Sequence, residues 1–148
     1  MACHVYRPPC RDDRENRWAL QLALESGGHH VVLAENGCDA LQKAARNIPQ
    51  LVITDWQMPE MDGAELCRRL KCQPSLAGIP VVMLSAMPEP PDEPRGWAAF
   101  LRKPAPIDLL MHTVELFIAQ RLTSKRTEAA REERSTSRWR PVDSRCWP

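Results

Sequence analysis

A chain of 148 residues with a formal net charge of +1 has length for one compact domain and no global field to draw it to nucleic acid or an anionic membrane. Its apolar runs, such as Val81–Leu84, are far too short to span a bilayer. The opening MACHVYRPPCRDD lacks the apolar stretch of a signal peptide, so a cytoplasmic protein is expected. Six cysteines (Cys3, Cys10, Cys38, Cys67, Cys72 and Cys146) include no C-x-x-C pair, which leaves a zinc or dithiol reading without support. His29-His30 is no better as a chelator, because neighbours on a strand point to opposite faces.

Residues 14–26, RENRWALQLALES, combine strong helix formers with apolar positions at Trp18, Leu22 and at Leu20, Leu24, and Gly27-Gly28 ends that helix. Val31–Ala34 reads as a short strand, followed by the turn signal Glu35-Asn36-Gly37. Residues 39–47 form a second helix on Ala40, Leu41, Ala44 and Ala45, with Pro49 just beyond it. Leu51–Asp55 is a strand, Ala64–Lys71 a third helix, and Val81–Ser85 a further buried strand. Ala98–Arg102 is a shorter strand running into Lys103-Pro104. Pro106–Leu122 closes the domain as an amphipathic helix with Ile107, Leu110, Met111, Val114, Phe117 and Ile118 inward. Alternating strands and helices predict an α/β fold with a mostly parallel sheet and helices on both faces.

Composition changes after Leu122. Residues 123–148 are rich in charge and in Ser and Thr, and poor in aliphatic side chains. The expected domain is therefore residues 1–122, followed by a disordered tail over 123–148 in which Thr127–Arg134 extends the last helix.

The chain is organised around Leu51–Gly63, LVITDWQMPEMDG. A run of apolar and β-branched residues bounded by turn signals fits a strand buried on both faces, which places Asp55 at its carboxyl end. Open α/β sheets bind ligands along that edge, and the same edge collects Asp12/Asp13, Ser85 and Lys103. Crowded carboxylates repel one another unless a cation neutralises them, and hard oxygen donors with room for water suit Mg²⁺. A lysine and a hydroxyl facing the same spot suit a phosphoryl group arriving on a carboxylate.

DWQMPEMDG, LSA and FLRKP, in that order, resemble the receiver domain of two-component response regulators, over about residues 12–122. The resemblance implies a flavodoxin-like, doubly wound five-stranded parallel sheet of order 2-1-3-4-5. It implies Asp55 as the phosphoacceptor, Ser85 as the switch hydroxyl, Lys103 as the phosphate-pairing lysine before a cis peptide to Pro104, and Phe100 as the aromatic switch. Mg²⁺ would be held by Asp55, the backbone carbonyl of Gln57, and Asp12 and Asp13. The implied partners are a sensor histidine kinase or phosphotransfer protein and a downstream protein target, with no nucleic acid and no membrane. Such a protein is a phosphoacceptor that assists its own phosphorylation and dephosphorylation, and is not otherwise an enzyme.

Two stretches depart from that pattern. The residues expected to form the first strand, His4–Cys10, contain Pro8-Pro9, which would remove two ladder donors from an interior strand. Aligning on Arg14–Arg17 puts Arg11 at the family's first acidic position and Asp12 at the direct metal ligand; aligning on the acidic pair makes Asp12 and Asp13 the two acids. Both registers stand. Between Ser85 and Lys103, MPEPPDEPRGWAA carries four prolines where receivers have a fourth helix, so no regular helix is expected there.

Three functions follow: a stand-alone phosphoaccepting receiver with output through protein contact, a degenerate receiver that binds partners without phosphorylation, and a haloacid-dehalogenase-type hydrolase. The last needs a second Asp two residues beyond the nucleophile, where this chain has Gln57.

Overall fold

The computed structural model describes residues 2–6, 14–58, 60–91 and 96–136, with side chains over 18–58, 60–91 and 96–133. Five parallel strands, β1 (Ala2–Tyr6), β2 (His30–Ala34), β3 (Leu51–Asp55), β4 (Val81–Ser85) and β5 (Ala99–Arg102), form one sheet in the order β2-β1-β3-β4-β5. Among the described residues four helices accompany them: α1 (Arg14–Ser26), α2 (Gly37–Arg46), α3 (Gly63–Cys72) and α4 (Ile107–Thr136). Every residue of β3 and β4 is buried, as expected of central strands covered on both faces.

The strand faces divide the core in two. Val52, Val81 and Met83 pack with Ala44, Leu66, Cys67 and Leu70 of α2 and α3. Leu51, Ile53, Val82 and Leu84 pack with Leu20 and Leu24 of α1 and Leu110, Val114 and Ile118 of α4. The period-2 alternation of the strands sorts these residues between the two clusters.

Helix ends follow their sequence signals. The amides of Gly27, Gly28 and His29 bond back to Ala23, Glu25 and Leu24, with Gly28 at φ 83°, a conformation glycine adopts without penalty. Asn36 caps α2 by accepting from the Asp39 amide at 2.8 Å, and Asp62 caps α3 by accepting from the Glu65 amide at 2.8 Å.

Several sequence expectations change. The first strand lies at Ala2–Tyr6, ahead of the expected His4–Cys10, and Val5 pairs with Ile53 and Leu33. The described strand ends at Tyr6, and the expectation for Pro8-Pro9 falls outside the described residues, as do all of Arg7 through Asp13. Trp18 and Leu22 are exposed on α1 while Leu20 and Leu24 are buried, and Ile107 is exposed at the start of α4. The last helix continues past Leu122 to Thr136. That stretch has no glycine or proline and is rich in Ala, Glu, Lys and Arg, so it can satisfy its own backbone without burying a core. The hydroxyls of Thr123, Ser124 and Thr127 bond back to carbonyls one turn earlier. The chain divides into two compact units, Met1–Ile118 and Ala119–Pro148. Between Ser85 and Ala99 no helix forms among the described residues, in line with the prolines there. No helix among the described residues is long and apolar enough to cross a membrane.

Candidate functional site

Sheet register brings three polar residues to one edge. Asp55, the last residue of β3, pairs with Leu84, so Ser85 stands one step further along β4; Ser85 pairs with Arg102, so Lys103 follows one step beyond β5. Asp55 and Ser85 are buried, at 4% and 3% exposure. A buried carboxylate is costly without a partner, and Lys103 supplies one: its Nζ lies 2.9 Å from Asp55 Oδ1. The Lys103 amide donates to the Ser85 carbonyl at 2.8 Å, and the Lys103-Pro104 peptide is cis. The Ser85 hydroxyl accepts from the Met87 amide at 3.0 Å.

The turn after Asp55 is pinned from two sides. The Trp56 amide donates to the Leu84 carbonyl at 2.7 Å, and its carbonyl accepts from the Gly63 amide at 2.9 Å. The Thr54 hydroxyl donates to the Asp55 carbonyl at 3.2 Å. Gly37 and Gly63 permit close approach: a Cβ on Gly37 would stand 2.6 Å from the Met61 sulfur, and one on Gly63 the same distance from the Met83 sulfur. The turn is thereby clamped between α2 and the sheet.

Three aromatic rings flank this edge. Trp56 and Trp97 meet edge-on at 5.4 Å, Phe100 lies 6.1 Å from Trp56 and 6.0 Å from Trp97, and the Trp97 indole N–H donates to Glu89 Oε1 at 2.9 Å. Phe100 was expected from the sequence; Trp97, Glu89 and Gly63 were not. The clash that a Cβ on Gly63 would create is a property of the folded turn, and no residue pattern announces that Trp97 and Glu89 pair.

Of the residues expected to act together, Asp55 and Lys103 are in contact and Ser85 holds the adjoining strand end. Gln57 sits in the turn two residues beyond Asp55. Asp12 and Asp13 lie outside the described residues, and among the described residues no group of three His, Cys, Asp or Glu side chains is placed to hold a metal ion. The donors present, a carboxylate and a nearby turn carbonyl, are hard oxygens of the type Mg²⁺ takes alongside water, so they fit that ion as a partial set.

A parallel sheet of this order, with a carboxylate, a hydroxyl and an ammonium at its carboxyl edge, is a doubly wound α/β domain whose polar groups stand where such sheets place their ligands. The family profile of the response regulator receiver domain matches residues 10–115, and the chain belongs to that family. The polar-differentiation response regulator DivK of Brucella anthropi is 29% identical over 111 residues, covering 72% of this chain and 90% of that protein. A gliding motility regulatory protein of Myxococcus xanthus is 46% identical over 83 residues, 56% of this chain but only 10% of that protein. The response regulator MprA of Mycobacterium leprae is 31% identical over 111 residues, and the match spans 48% of its length. Among solved structures, the receiver domain of a histidine kinase from Syntrophus aciditrophicus is 29% identical with a TM-score of 0.67, covering 81% of this chain and 92% of that one. The receiver domain of the sensor histidine kinase PA1611 from Pseudomonas aeruginosa, solved with magnesium in its active-site cleft, shares the fold at 20% identity and a TM-score of 0.70, covering 80% and 98%.

Proposed function

We propose that Asp55 accepts a phosphoryl group from a histidine kinase or phosphotransfer protein, and that the phosphorylated domain acts through contact with a downstream protein. The observation that carries this reading is the 2.9 Å ion pair between Asp55 and Lys103, with Ser85 on the strand between them. A carboxylate oxygen of Asp55 attacks phosphorus, the bond from phosphorus to the donor's leaving atom breaks, and the leaving group departs with the electron pair. Lys103 then pairs with the new phosphoryl oxygens, and the Ser85 hydroxyl donates to one of them; positioning and charge neutralisation are the whole of the catalysis. Asp55, the Gln57 carbonyl, and Asp12 or Asp13 are the residues that would hold Mg²⁺, which when bound offsets the negative charge gathered there.

Incubation with acetyl phosphate and Mg²⁺ tests the proposal by intact mass. The chain should gain one phosphoryl group, and Asp55→Asn should not. Equal gain by both, or gain by neither, rejects it.

One observation favours a second reading. The family match opens at residue 10, after β1, so the residues of the strand that leads toward the acidic pair lie outside that sequence match. A receiver that binds a partner without phosphorylation fits that divergence. Mg²⁺ titration followed by tryptophan fluorescence separates the two, because Trp56 adjoins Asp55: a saturable change supports the phosphoacceptor, and a flat titration supports the binding module.

A further inference from the structure

We propose that Glu89 and Trp97 are positioning residues for the Ser85 hydroxyl, their hydrogen bond tying together the described parts of the β4–β5 connection, residues 86–91 and 96–98; its catalytic sense rests on the phosphoacceptor reading above. The connection runs from residue 86 to 98, and Pro88, Pro90, Pro91 and Pro94 each lack the amide a helix would use. It is tied down at three described points. The Met87 amide donates to Ser85 Oγ at 3.0 Å, the Trp97 indole donates to Glu89 Oε1 at 2.9 Å, and the Ala98 amide donates to the Val81 carbonyl at 2.8 Å.

Trp97 is the fixed point. It is 9% exposed and packs against both Trp56 and Phe100, so its indole N–H is held in one direction. Glu89 is bound to that N–H. Only Pro88 separates Glu89 from Met87, and its ring fixes one backbone torsion while restricting Met87 to extended conformations. Through the Glu89 side chain and the short Met87-Pro88-Glu89 link, in which the Pro88 ring fixes one torsion, the indole anchors the segment that carries the Met87 amide. That amide occupies an acceptor site of Ser85 Oγ, which leaves the hydroxyl proton to be donated elsewhere. Where the hydroxyl points is accordingly set by a tryptophan and a glutamate outside the site.

The test uses the full chain with Trp97→Phe, which keeps a ring and loses the donor, and Glu89→Ala, which removes the acceptor from the other end. Glu89→Gln, which retains an amide oxygen, serves as the conservative variant. Two quantities are read: exchange of the Met87 amide by NMR, and the rate of phosphoryl uptake from acetyl phosphate. Trp97→Phe and Glu89→Ala should each accelerate Met87 exchange and slow uptake about fivefold, the ratio equivalent to one net hydrogen bond, while Glu89→Gln stays near the unaltered chain. In a Ser85→Ala background neither change should slow uptake further. Unchanged Met87 exchange, or effects that multiply with Ser85→Ala, overturns the positioning role even when the unaltered chain is phosphorylated. No uptake by the unaltered chain overturns the phosphoacceptor reading and the catalytic role with it.

Discussion

Gly63 sits so close to Asp55 that a Cβ at position 63 would overlap the Asp55 carbonyl oxygen, while its amide donates to the Trp56 carbonyl. The start of α3 therefore acts as a wall for the carboxylate turn. Gly63→Ala must push both the Asp55–Trp56 backbone and the Met83 side chain aside. Overpacking of this kind costs about 2 kcal/mol, a fall in Tm of roughly 5–10 °C for a domain of this size. Thermal unfolding by circular dichroism reads the cost, and an alanine variant as stable as the parent contradicts the contact.

The Asp55–Lys103 pair predicts unequal losses for its two partners. Lys103→Met strands a buried carboxylate and should cost about 2 kcal/mol, below the range for a fully buried pair because Lys103 is partly exposed. Asp55→Asn removes the charge itself and should cost little. The double variant should recover most of what Lys103→Met loses. Urea denaturation of the three proteins decides; equal losses in both single variants would mean the pair is not coupled in this way.

Glu60 holds φ 67° between Pro59 and Met61. The left-handed region costs a residue with a Cβ about 1 kcal/mol, part of which glycine returns through its greater freedom when unfolded. Glu60→Gly should therefore stabilise by about 0.5 kcal/mol. A higher urea midpoint with an unchanged slope is the expected signature, and a lower midpoint refutes it.

Asp39 predicts a pH dependence. The hydrogen bond from Lys43, joined by one from the Glu35 amide, holds its carboxyl below the ordinary carboxylate range. Lys43 also reaches the Leu33 carbonyl, tying α2 to the end of β2. A carboxylate whose folded-state pKa is depressed adds stability above its unfolded pKa and loses it as pH falls through the folded value. Asp39→Asn should thus cost about 0.5 kcal/mol at neutral pH, as befits a half-buried i,i+4 pair still screened by solvent, and nothing once the parent carboxylate is protonated. Unfolding of both proteins at neutral pH and near pH 2 tests the convergence; a constant gap would locate the effect elsewhere.

Elements legible in the residue order were those whose signals are local. Leu51–Asp55 announced a buried strand through unbroken apolar character, Gly27-Gly28 announced a helix end, and the prolines after Ser85 announced that the described residues there form no helix. The candidate residues Asp55, Ser85 and Lys103 were legible as strand-end residues for the same reason. Where local and tertiary signals competed, the first strand was misplaced, because HVYRPPC was read against the acidic residues that follow it and not against its hydrogen-bonding partners. The outward turn of Trp18 and Leu22 was missed as well: helical spacing says which residues share a face, and the sheet decides which face is buried.

The amino-acid order by itself determined the α/β alternation and the chemistry available at the strand ends, since periodicity and side-chain type are properties of each segment alone. Only the tertiary structure decided that Lys103 meets Asp55 and that Trp97 holds Glu89. Those pairs join residues far apart in the chain or across a proline-rich connection, and sheet register and packing, which no single segment encodes, set the distances between them.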